Sequence, residues 1–161
     1  MNSDFSFVIA TYNRSSKLRI LLDSIYMQSK EFKKEIIVVD QSEGDDTSKL
    51  CEKYENILYF RVKFKGLSRA RNFGIKKAKG NYIIFNDDDS FLSKDYFLKV
   101  RDVVKEKKEY TVFSGIILTI EEKLPFSRYM KMTERELNYY DYDTFLSSNL
   151  CIERNALLEC E

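Results

Sequence analysis

A chain of 161 residues with 43% hydrophobic content is long enough for one domain with a buried core and too short for two. Its 27 basic side chains nearly balance 26 acidic ones, which excludes a global field able to gather nucleic acid or an anionic membrane, so charge-based recognition has to be local. One Pro, 5 Gly and 14% aromatic residues argue for a regular, packed fold and against disorder.

In chain order, Phe5 to Ala10 is a short apolar run that ends at Thr11-Tyr12-Asn13, giving a strand and then a loop. Leu18, Leu21, Leu22 and Ile25 recur at helical spacing, and Ser15 or Ser16 ahead of them can cap the first turn. Glu35 to Asp40 is an unbroken apolar strand, as expected when both faces are buried, and it ends in a carboxylate. A short helix over Ser48 to Tyr54 and a strand over Ile57 to Phe64 follow. Ser68 to Ala78 then reads as a helix ended by Gly80, and Tyr82 to Phe85 as a fourth strand.

That strand runs directly into Asn86-Asp87-Asp88-Asp89-Ser90. Tyr96, Phe97, Val100, Val103 and Val104 then mark one face of another helix, and Tyr110 to Ile120 is a fifth strand. Strands alternating with helices predict an α/β fold of three layers, a mostly parallel sheet with helices on both faces. Ligands in such sheets bind beyond the carboxyl ends of the strands, which selects Thr11, Tyr12, Asp40 and the run Asp87 to Asp89 and sends them to one edge. From Glu121 the sequence becomes charged and Tyr-rich, with Pro125 as a break and a capping box at Thr133 and Glu136. Phe145 to Glu159 is mixed.

Cys51, Cys151 and Cys160 are odd in number and lack C-x-x-C spacing, which argues against a disulfide framework or a zinc cage and fits a reducing cytoplasm. Phe5 to Ala10 is too short for a signal peptide, and no apolar stretch reaches the ~20 residues of a membrane span. Histidine is absent, so an acid or base working near neutral pH has to be a carboxylate or a less usual group.

Three consecutive carboxylates repel one another, and a divalent cation relieves that repulsion. On extended backbone Asp87 and Asp89 point to one side and Asp88 to the other, giving two oxygen donors of the kind that magnesium or manganese accepts beside phosphate and water. Alone, such a triplet reads first as a solvated turn; its place after a buried strand favours the cation. The run lacks the alternating ligands and glycine of an EF-hand loop. Asp40 can accept hydrogen bonds from a base or ribose, or cap its own loop. Tyr12 offers a flat face to a base, or packs within its loop. Gly66-Leu67-Ser68-Arg69-Ala70-Arg71-Asn72 places two arginines at a helix start, where a diphosphate would find free N–H groups; being two apart, only one of them meets it. Asp141 and Asp143 repeat the spacing of Asp87 and Asp89 without a buried strand before them and read as a surface loop.

Together Phe7 to Arg14 (FVIATYNR), Ile36 to Asp40 (IIVVD), Gly66 to Asn72 (GLSRARN) and Ile84 to Asp89 (IFNDDD) resemble, in order and spacing, the family-2 glycosyltransferases of the GT-A fold, over about residues 5 to 154. The resemblance implies inverting transfer of a sugar from a nucleoside diphosphate sugar, UDP-linked in the first instance, assisted by Mn2+ or Mg2+. It implies that Thr11, Tyr12 and Asp40 hold the nucleoside, that Arg71 lies near the diphosphate, that Asp87 contacts the ribose region with Asp88 on the same nucleotide side, and that Asp89 binds the metal. The acceptor would be a glycan or a lipid-linked molecule, at the inner face of a membrane. Residues 1–161 are expected to form one domain, with 1–120 binding the nucleotide sugar and 121–161 beginning the acceptor side.

Ala10 stands where the family often has proline and Gln41 where it often has a second aspartate. Phe145 to Glu159 resembles the stretch before the family's usual catalytic base, yet the sequence ends at Glu161. The chain is therefore expected to be a fragment whose base lies beyond Glu161, with Asp141, Asp143 and Glu153 as weak substitutes. The rival readings are a non-catalytic nucleotide-sugar-binding module on the same fold, and a receiver-type signalling domain with a magnesium site. The acids of the latter should follow the first strand, whereas these follow the fourth.

Overall fold

The computed structural model describes residues 4–28, 32–106, 112–114 and 149–159. In chain order the elements are β1 (Phe5–Thr11), α1 (Ser15–Tyr26), β2 (Lys34–Asp40), α2 (Asp46–Cys51), β3 (Ile57–Arg61), α3 (Leu67–Lys77), β4 (Tyr82–Phe85), α4 (Tyr96–Glu106), β5 (Val112–Ser114), β6 (Leu150–Glu153) and α5 (Arg154–Leu158). They build a sheet of order β3-β2-β1-β4-β6-β5. The first four strands in that order are mutually parallel, and β6 runs antiparallel to both of its neighbours.

The continuous apolar runs of β1, β2 and β4 follow from burial on both faces. Phe7, Ile9, Ile36, Val38 and Ile84 enter one core with Leu18, Leu21, Leu22 and Ile25 of α1 and with Phe97 of α4. Their alternating neighbours Val8, Ile37, Val39, Ile83 and Phe85 enter a second core on the other face, with Ala70 and Ile75 of α3. Side chains that alternate across a strand therefore divide between two helix layers, and the three-layer α/β architecture expected from the sequence is the one observed.

Several local expectations are corrected. No serine caps α1: the helix begins at Ser15, which leaves Arg14 in the N-cap position, and a guanidinium has no acceptor for a first-turn N–H. β3 stops at Arg61, short of Phe64, and the chain then turns through Gly66, whose φ of 117° disfavours any side chain. α3 ends before Ala78, which is already extended, so Gly80 is not its stop signal. Gly80 is instead where two backbones touch, since a Cβ there would lie 2.7 Å from the Phe5 carbonyl carbon and the Ser6 nitrogen.

The expected fifth strand is described only over Val112–Ser114. It does not pair with β4, because β6, which the sequence did not announce, lies between them with Cys151 and Ile152 buried. The remaining expectations for the 115–148 segment, including Pro125, the Thr133 capping box and the pair Asp141 and Asp143, fall outside the described residues. So do Cys160 and Glu161. No helix of the described residues is long and apolar enough to cross a membrane.

Candidate functional site

Three parallel strands deliver their carboxyl ends to one edge. Thr11 closes β1 directly beside Asp40, its register partner at the end of β2, and the Gln41 N–H donates to the Thr11 carbonyl at 3.0 Å. Phe85 is paired with Val8, so the chain leaving β4 climbs past the rest of β1 and brings Asp88 to Thr11, whose hydroxyl donates to Asp88 Oδ2 at 2.7 Å. Asn13, left-handed at φ 54°, lets the chain turn immediately after β1, and its N–H donates to Ser42 Oγ at 2.8 Å, tying the loops after β1 and β2 together.

Asp40 is fully buried. Its Oδ1 accepts the Ser42 N–H at 2.9 Å and its Oδ2 accepts the Tyr59 hydroxyl at 2.8 Å. Tyr59 in turn accepts from Arg61 Nε at 3.2 Å, and Arg61 holds the Gly44 carbonyl and Asp45. Burial first, and then the Asp40 bond, push the Tyr59 hydroxyl above its ordinary pKa, so it stays a donor. In the protein itself, then, Asp40 organises its own loop. Tyr12 is exposed, and the Lys65 ammonium lies 4.0 Å from its ring centroid while donating to the Gln41 carbonyl.

The acidic run does not lie on extended backbone. Ser90 turns it, its N–H reaching the Asp87 carbonyl at 3.1 Å and its hydroxyl the same oxygen at 2.7 Å. The expected alternation, with Asp87 and Asp89 on one side, is therefore replaced by another grouping. Asp87 meets Arg71 at 3.0 Å, whereas Asp88 and Asp89 share Arg14 at 3.2 and 3.3 Å, and Lys17 stands 3.7 Å from Asp89. The Asp88 side chain is 6% exposed and that of Asp89 43%, so one is structural and the other open to solvent.

The two arginines of α3 separate as their spacing requires: Arg69 covers the Phe64 ring and Arg71 reaches the acids. Burial lowers the pKa of Arg71 and Asp87 opposes this, while the hydrogen bond and charge of Asp88 raise that of Arg14; both remain cations. Sequence reasoning gave no role to Arg14, Lys17, Tyr59 or Lys65. The first of these could have been found from its place in the loop that meets the acids, although its partners lie 74 and 75 positions away.

Three buried side-chain carbonyls at this edge have no hydrogen-bond partner: Gln41 Oε1, Asn86 Oδ1 and Asn149 Oδ1, the last just ahead of β6, where Leu150 pairs with Phe85. The first two sit directly after β2 and β4, where donors of a bound molecule would satisfy them. Among the described residues no three His, Cys, Asp or Glu side chains are grouped to enclose a metal ion. Asp89 is a hard-oxygen donor open to solvent, which fits a cation of the magnesium type, since such ions take one or two carboxylates and complete their shell with substrate phosphates and water. Glu153 is excluded as a stand-in base for this edge: it pairs with Tyr82, at the opposite end of β4 from Asp87.

The family described as glycosyl transferase family 2 matches residues 6–155. The chain belongs to this family. The minor teichoic acid biosynthesis protein GgaB of Bacillus subtilis (strain 168) is 34% identical over 113 residues, covering 66% of this chain and 13% of that protein. Among solved structures, S. aureus TarS in complex with UDP-GlcNAc superposes with a TM-score of 0.81 at 22% identity, covering 98% of this chain and 47% of the other. The mannosyltransferase PcManGT from Pyrobaculum calidifontis, in complex with GDP-Man and Mn2+, gives 0.67 at 19% identity over 99% of this chain and 47% of that one. At such identities the structures establish the GT-A fold. The chain spans about half of these structures and a smaller share of the curated relative.

Proposed function

We propose that this chain is the donor-binding part of an inverting, metal-dependent glycosyltransferase that takes its sugar from a nucleoside diphosphate sugar, UDP-linked in the first instance. The observation that carries this reading is the convergence of Thr11, Asp40, Arg71 and the run Asp87 to Asp89 on one sheet edge, from four separate stretches of sequence. In this reading Thr11, Tyr12 and Asp40 shape the nucleoside pocket, and Gln41 and Asn86 present their unpaired carbonyls to it. Asp87 and Asp88 hold the ribose side, and Arg71 faces the diphosphate. Asp89 would hold Mn2+ or Mg2+, which when bound supplies positive charge against the departing diphosphate.

The acceptor in this proposal is a glycan or lipid-linked precursor of a surface polymer, reached from the cytoplasm at the inner face of the membrane; the teichoic acid biosynthesis in the name of GgaB supports that class. The placement of Glu153 at the far end of β4 favours one second reading, a nucleotide-sugar-binding module without turnover of its own. Release of UDP from a UDP-sugar in the presence of acceptor separates the two.

Titration calorimetry tests the shared core of both. UDP is expected to bind in the presence of Mn2+ and to bind at least about tenfold more weakly after EDTA treatment. Failure of UDP, GDP and dTDP alike to bind would remove both readings.

A further inference from the structure

Resting on the donor-site reading above, we infer that Arg14 is a counter-ion switch: it keeps Asp88 and Asp89 neutralised before a nucleotide binds, and releases Asp89 when a diphosphate takes its guanidinium. Three adjacent carboxylates ought to attract a free divalent ion strongly. Here they are matched by three cationic side chains, Arg71 on Asp87, Arg14 on Asp88 and Asp89, and Lys17 on Asp89, so the edge has little net charge with which to draw one in.

The three contacts differ in how readily they give way. Arg71 is 13% exposed and packed over Phe85, a fixed position. Arg14 is 52% exposed and straddles two carboxylates with one nitrogen, at 3.2 and 3.3 Å, both long for a charge-assisted bond. Asp88 does not need Arg14 to stay where it is, because Thr11 holds its other oxygen at 2.7 Å. The cations against Asp89, Arg14 and Lys17, are both long, solvent-facing side chains, and a diphosphate offers each of them more negative charge than one carboxylate does. Arg14 is therefore a positioning residue: it acts on cation binding through the state of Asp89, and it makes cation affinity depend on the nucleotide.

The test uses Mn2+ alone and Mn2+ with UDP, read by electron paramagnetic resonance of the free ion, on the unaltered chain, Arg14→Gln and Arg14→Lys, with thermal melts to confirm that all three are folded. The unaltered chain and Arg14→Lys are expected to take up Mn2+ weakly without UDP and strongly with it. Arg14→Gln is expected to bind Mn2+ alone about tenfold more tightly than the unaltered chain, with a correspondingly smaller gain on adding UDP. Equal Mn2+ affinity of the unaltered chain and Arg14→Gln without nucleotide overturns the inference while leaving the donor site standing. Absence of Mn2+ uptake by all three proteins even with UDP overturns the donor-site reading, and this inference with it.

Discussion

Replacing Asp89 by alanine is expected to abolish metal-dependent UDP binding, a loss of about 100-fold or more in calorimetry, while leaving the melting temperature nearly unchanged. The asymmetry follows from its surroundings. Its side chain is 43% exposed and its two cationic partners are 52% and 55% exposed, and ion pairs of that kind contribute little to folding. Asp88→Ala should, by contrast, lower the melting temperature. That carboxylate is buried and accepts the buried Thr11 hydroxyl, so its removal is expected to destabilise the fold by about 1–3 kcal/mol. Equal melting temperatures for the two variants would show that the neighbouring acids are not divided between a structural and a functional role.

Asp40→Ala is expected to lower folding stability by about 2–4 kcal/mol, read from the urea midpoint, because it strands two donors at once. The Ser42 N–H and the Tyr59 hydroxyl both end on this fully buried carboxylate, and Tyr59 links it onward to Arg61 and the Gly44 carbonyl. Against a typical total of about 5–15 kcal/mol that is a large fraction, and nucleotide binding should be lost with it because the loops after β1 and β2 are tied together through Asn13 and Ser42. Asp40→Asn, which keeps the shape and one acceptor, should lose clearly less stability. A loss as large as that of alanine would mean that both acceptor oxygens are required, since asparagine offers the Ser42 N–H and the Tyr59 hydroxyl only one between them.

The parts of this fold that could be read from sequence are those in which local pattern and burial coincide. β1, β2 and β4 are apolar runs because helices cover both of their faces; β1 and β2 end at Thr11 and Asp40 and β4 is followed at once by Asn86, so strand, loop and site edge were legible together. β6 was not, since its four residues have too little pattern to exceed the noise and it is held by pairing with β4 and β5, far away in sequence. The acidic run was legible as a cluster, but its geometry was not. Extended backbone would have grouped Asp87 with Asp89, whereas the turn made by Ser90 groups Asp88 with Asp89 under Arg14. The serine cap on α1 is missing because the helix starts at Ser15, earlier than either serine cap would allow, and leaves the donor-only Arg14 at the cap position.

X-ray data collected at the manganese absorption edge, on crystals of this chain grown with UDP and Mn2+, address the site most directly. The expected result is an anomalous peak in coordination range of the Asp89 carboxylate, with the diphosphate beside it and the nucleoside against Thr11 and Asp40. Manganese or UDP found at the opposite end of the strands, beside Tyr82 and Glu153, would contradict the assignment of this edge as the donor site.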